Sequence, residues 1–109
     1  MLYNSPFNKN VILNSDYEKF KQKGVVVFGT GNLGALCLHA LKQKNIKTVC
    51  FVDNNISNWE KKFNDIDVIS PEKLKSKYND YPVLISSLNF KYLKRQLSSL
   101  GIKDINYCD

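Results

Sequence analysis

Apolar residues gather in short blocks along this chain, and the blocks have two different periods. Gly24-Val25-Val26-Val27-Phe28 is a continuous Val-rich run. Strands buried on both faces have this composition, and parallel sheets contain such strands. Leu33, Leu36, Cys37, Ala40 and Leu41 then fall at i, i+3, i+4, i+7 and i+8. That spacing predicts a helix over 32–44 with one apolar stripe. Lys42, Gln43 and Lys44 suit its C-terminal end. A second buried strand follows at 48–52, and Asp53-Asn54-Asn55 breaks it.

The pattern continues with less regularity. Ser57 is placed to cap a single helical turn around Trp59, and Asp67-Val68-Ile69 reads as a short strand. Ser70-Pro71-Glu72 is a helix start with Ser as N-cap, Pro at the first position and Glu in the first turn. That helix reaches about residue 78, with Leu74 and Tyr78 facing inward. The fourth strand is 82–86. Asn89 caps a last helix whose buried stripe is Phe90, Leu93, Leu97 and Leu100, and Gly101 stops it. The stretch 104–107 is an edge strand. Upstream, Ser15 and Glu18 have capping-box spacing and open a short helix over 15–22. Residues 1–14, polar and Asn-rich with Pro6, read as an N-terminal arm to a domain over 15–109. Strands and helices thus alternate five times. This predicts an α/β Rossmann-like fold, a doubly wound parallel sheet of about five strands in the order 3-2-1-4-5 with helices on both faces.

The chain has 109 residues, enough for one domain with its own core. The net charge of +6 raises the question of an anionic partner. All but one of the 16 basic residues are Lys, the exception being Arg95, and they scatter over helix ends and outer faces. Readers of bases and phosphates favour the Arg fork, so this pattern argues for a Lys-rich surface and against nucleic acid. Cys37, Cys50 and Cys108 are far apart and form no CxxC or Cys/His cluster. Zinc is therefore not expected, and Cys37 and Cys50 read as buried thiols in a reducing compartment. No signal peptide and no apolar run of about 20 residues is visible, so a cytoplasmic location is the default and no membrane partner is expected.

The chemistry centres on Gly29-Thr30-Gly31-Asn32-Leu33-Gly34, a GxGxxG pattern lying directly between a strand and a helix. In that context Gly29 makes the turn, Gly31 admits a phosphate close to the backbone, and Gly34 lets the helix pack on the sheet. The helix start offers N–H groups and a positive dipole end to an anion. Asp53 and Asn54 end the second strand, where an acidic side chain can accept from ribose hydroxyls. No Arg follows Asp53, which favours NAD over NADP. Ser86 and Ser87 end the fourth strand, at the carboxyl edge where ligands of such sheets bind.

Other candidate chemistry is poor. His39, the lone histidine, sits on a helix between Leu38 and Ala40. Tyr17 and Lys21 have Tyr-x-x-x-Lys spacing, but they precede the glycine loop. Trp59 reads as a packing residue. No acid, base or nucleophile stands out.

VVVFGTGNLGALCL, FVDNN with Trp59, DVISPEKL, VLISS and QLSSLGIKDI together resemble the Rossmann-like N-terminal domain of FkbM-type methyltransferases and of capsule-type nucleotide-sugar dehydratases and epimerases. They are also similar to the N-terminal domain of bacterial sugar acetyltransferases. The resemblance implies that Gly29, Gly31, Gly34 and Asp53 line a nucleotide or nucleotide-sugar site. It also implies that the domain works beside a catalytic domain for surface-polysaccharide sugars, absent from this chain. The expectation is a non-catalytic domain binding NAD or a nucleotide-sugar, with a catalytic partner domain or a second copy as its protein partner. Two alternatives stay open. One is the cofactor-binding portion of a truncated sugar-modifying enzyme, and the other is an interaction module that keeps the fold without a ligand.

Overall fold

A computed structural model describes residues 14–107, with side chains from Glu18 to Asn106. The arm up to residue 13, the side chains of Ser15 and Tyr17, and Cys108 lie outside the described residues. The elements run α1 (Asn14–Lys23), β1 (Val25–Phe28), α2 (Gly31–Gln43), β2 (Thr48–Val52), a 3-10 turn (Ile56–Asn58), β3 (Lys62–Phe63), β4 (Ile66–Ile69), α3 (Pro71–Lys77), β5 (Val83–Ile85), α4 (Phe90–Ser99) and β6 (Ile105–Tyr107). The first helix begins at Asn14, which puts Ser15 inside it rather than at the expected N-cap.

Among the described residues one six-stranded sheet has the order β3-β4-β2-β1-β5-β6. Its five parallel strands, β4-β2-β1-β5-β6, have the expected 3-2-1-4-5 order. The sixth, β3, is an addition: it pairs antiparallel with β4 through a two-residue turn, Asn64-Asp65, with φ of 52° and 67°. Positive φ at both central positions matches the twist of a tight hairpin, and Asn and Asp tolerate it. Phe63 then meets Phe51 edge-on at 5.0 Å.

Successive strand residues point to opposite faces and so divide the core in two. Val25, Val27, Phe51, Val68 and Leu84 pack with Phe20 of α1 and with Cys37, Leu38, Ala40 and Leu41 of α2. Val26, Phe28, Cys50, Val52, Ile69, Val83 and Ile85 pack with Leu74 of α3 and Leu93 and Leu97 of α4. Helices therefore cover both faces. Cys37 and Cys50 are buried, as expected.

The stripe of α2 differs from the expected one. Leu36 is 46% exposed, while Leu38 is 6% exposed and belongs to the core. Gly34 is the reason. With no side chain it lies against the end of β1, and Cys37, Leu38 and Leu41 share its side at i+3, i+4 and i+7. Leu36, two residues from Gly34, is turned about 200° away.

Helix starts were legible in part. Ser70 Oγ accepts the Lys73 N–H at 3.1 Å and Pro71 opens α3, as expected. The 3-10 turn is capped by Asn55 rather than Ser57: Asn55 Oδ1 accepts the Ser57 N–H at 3.1 Å. Asn89 precedes α4, but its side chain makes no capping bond.

Candidate nucleotide site

Three strand ends are tied side by side at the carboxyl edge of the sheet. The Gly29 N–H donates to the Val52 carbonyl at 2.8 Å, and the Ser86 N–H donates to the Phe28 carbonyl at 3.0 Å. Ser86 Oγ, buried, lies 3.2 and 3.1 Å from the carbonyl oxygens of Phe28 and Gly29 and can donate to either. The loops after β1, β2 and β5 therefore enter one region with fixed spacing.

The glycine loop carries α2 away from this edge. Gly31, the first residue of α2, has φ +87°, and a Cβ built on it meets nothing within 4 Å. Its conformation excludes most side chains while the space beside it stays open, which suits close approach by a ligand group. Thr30 occupies the N-cap position, yet its side chain makes no capping bond, and the first turn contains no acidic residue. The helix thus starts with its N–H groups uncapped by the residue that usually caps them, at the positive end of the dipole.

The Thr30 hydroxyl is engaged elsewhere: it donates to Asp53 Oδ2 at 2.6 Å. Asn58 Nδ2 donates to the same oxygen at 3.2 Å, and the Asn55 N–H donates to Oδ1 at 2.8 Å. The Trp59 indole N–H donates to the Asp53 carbonyl at 2.6 Å, which makes Trp59 a brace for the segment after β2. Asn54 and Gln96 exchange two amide hydrogen bonds at 2.9 and 2.8 Å, linking that segment to α4.

These loops border a cleft of about 360 Å³. Of the residues expected to form the site, Gly29, Thr30, Asn32, Leu33, Asp53, Asn54, Ser86 and Ser87 line it, joined by Phe28 and Leu93. Gly31 and Gly34 shape the loop without lining the cleft. Gly34 has the packing role: a Cβ there would stand 2.5 Å from the Gly29 carbonyl oxygen. His39 is exposed on α2 and takes no part. Sequence reasoning missed Asn55, Asn58 and Gln96. The Asn-rich stretch after Asp53 was a usable signal for the first two, because Asn side chains bond nearby backbone in turns; Gln96 had none.

Among the described residues no group of His, Cys, Asp and Glu is placed to hold a metal ion. No helix there is long and apolar enough to cross a membrane. Burial, followed by the nearby Asp67 charge, pushes the Cys50 thiol up to about 12, so it is no nucleophile.

Comparison with curated proteins gives no match. Among solved structures, the chain is similar to UDP-D-quinovosamine 4-dehydrogenase from Vibrio fischeri, with a TM-score of 0.60 and 21% identity over 74% of this chain and 73% of that one. It is also similar to RSP, solved in complex with β-NAD+ and operator DNA, with a TM-score of 0.57 and 18% identity over 76% of this chain and 48% of that one. At these identities the likeness establishes the Rossmann-like fold. The family model of the C2185-like N-terminal domain matches residues 21–106, nearly the whole described chain, and the protein belongs to that family.

Proposed function

We propose that the chain is a non-catalytic nucleotide-binding domain, taking NAD or a nucleotide-sugar in the cleft at the carboxyl edge of the sheet. The observation that carries this reading is the start of α2: a helix N-terminus without a side-chain cap, with open space at Gly31, beside a cleft of about 360 Å³. That volume lies at the small end of the roughly 300–1,000 Å³ of ligand sites. A phosphate fits such a terminus because the backbone N–H groups and the dipole favour negative charge. Asp53, Asn54, Ser86 and Ser87 line the same cleft. Among the described residues Asp53 is the one ionisable side chain lining the cleft, and three donors already hold it. That supports binding over catalysis.

Two neighbours support the ligand class, one described as a UDP-sugar dehydrogenase and the other as a complex with β-NAD+. The resemblance to domains of FkbM-type methyltransferases and nucleotide-sugar dehydratases and epimerases supports a place in surface-polysaccharide biosynthesis. The family's description as an N-terminal domain favours one second reading, the cofactor-binding portion of a larger sugar-modifying enzyme. Calorimetric titration with NAD, UDP-sugars, S-adenosylmethionine and CoA tests the proposal. One of the first two binds, and Gly31→Val abolishes the heat of binding. Absence of binding by all four at millimolar ligand refutes it.

A further inference from the structure

Residues 81–103 contain no Asp or Glu, yet they hold Lys91, Lys94, Arg95 and Lys103, four charges toward a net of +6. All four are exposed, and none takes part in an ion pair among the described residues. Leu93 and Leu97 turn one side of α4 into the core. Each residue advances about 100° around a helix, which puts Lys91 and Arg95 on the outer side and Lys94 at its flank. Lys94 and Lys103 line a groove of about 550 Å³ beside Ile105 of β6, with room for a phosphate head group.

The start of α4 adds apolar side chains to this charge. Leu88, two residues before the helix, is 91% exposed, and Tyr92 in the first turn is 59% exposed. A polyanion such as nucleic acid supplies charge but no apolar phase to take Leu88. An anionic bilayer supplies both: head-group charge for the cations and an acyl boundary for a leucine, with tyrosine suited to the level between them.

We propose that α4 and the loop before it dock this protein on an anionic lipid surface. Leu88 and Tyr92 enter the head-group boundary, and Lys91, Lys94, Arg95 and Lys103 meet lipid phosphates. Docking of this peripheral kind needs no spanning helix. It departs from the expectation of no membrane partner, which rested on the lack of an apolar run of spanning length. It does not depend on a ligand in the nucleotide cleft.

Sedimentation of the full chain with lipid vesicles is the test. The chain partitions onto vesicles of phosphatidylcholine and phosphatidylglycerol in a two-to-one ratio, and at least about tenfold more weakly onto phosphatidylcholine alone. Lys91→Glu combined with Arg95→Glu lowers partitioning onto the anionic vesicles by more than about tenfold. Leu88→Ser keeps every charge and lowers it by about tenfold, the size of one buried leucine side chain. Lys42→Glu combined with Lys47→Glu makes the same change in net charge at exposed positions on and after α2, which covers the opposite face of the sheet. That variant loses no more than about threefold, because salt screens distant charges. No partitioning onto the anionic vesicles overturns the proposal. An equal loss in the variant near α2 overturns it as non-specific charge, and an unchanged partition of Leu88→Ser overturns it in favour of a polyanion. A dimer in light scattering that Leu88→Ser dissociates assigns the surface to a second copy and overturns it as well.

Discussion

Gly34 and the carbonyl oxygen of Gly29 are in such close contact that a Cβ on Gly34 would stand 2.5 Å from that oxygen. The neighbour is backbone, held by the Gly29 N–H bond to Val52, and it cannot swing aside as a flexible side chain can. Gly34→Ala therefore forces α2 off the sheet. We expect a loss of about 1–3 kcal/mol, as for other overpacked sites. Thermal unfolding measures it, and an unchanged melting temperature would refute the contact.

Leu36 and Leu38 make a paired prediction. Leu36→Gln changes stability by no more than about 0.5 kcal/mol, since it alters an exposed side chain. Leu38→Ala removes a side chain from the core beneath α2 and costs about 2–5 kcal/mol. Urea unfolding of both variants decides the rotation of α2, because the expected stripe with Leu36 inside gives the larger loss at Leu36.

Ser70 supplies a side-chain bond to the start of α3, and Ser70→Ala leaves the Lys73 N–H without it. The expected loss is about 1 kcal/mol. Ser70→Asp retains an acceptor there and keeps most of the stability. Chemical denaturation midpoints compare the two variants, and equal losses would contradict the cap.

Cys50 gives the stability a dependence on alkaline pH. Its thiol ionises near the ordinary value of 9.0 in the unfolded chain and near about 12 when buried. Above pH 9 the unfolded state holds fewer protons than the folded one, so the contribution of Cys50 is complete below pH 9 and declines as pH rises toward 12. The slope is at most about 1.4 kcal/mol per pH unit. Unfolding free energies between pH 8 and 10 measure it, and Cys50→Ala flattens the decline. A decline of the same steepness in that variant would assign the effect elsewhere.

Much of this molecule was legible in its sequence because the signals were local. Val25-Val26-Val27-Phe28 could be read as a two-sided strand, and Ser70-Pro71 as a helix start, from neighbours alone. The glycine loop, Asp53 and Ser86 could be placed at one edge because alternating strands and helices put successive strand ends there. What escaped depends on contacts between distant segments. Leu36 and Leu38 both suit an apolar stripe, and only the contact of Gly34 with Gly29 chooses between them. Lys62-Phe63 is too short to show a period, although Asn64-Asp65 was a hairpin signal. Thr30 read only as a member of the glycine loop, and its bond to Asp53 joins residues 23 apart.

The two-residue strand β3 bears on the behaviour of many molecules together. An open strand edge is a template on which another chain can add and start an aggregate. On the β4 side that template is already filled by Lys62-Phe63, a segment too brief to guide a newcomer. Lys62, exposed and paired with Asp67 at 2.8 Å, leaves charge along the margin. By turning back on itself for two residues, the chain protects that side of the sheet from growth in a crowded solution.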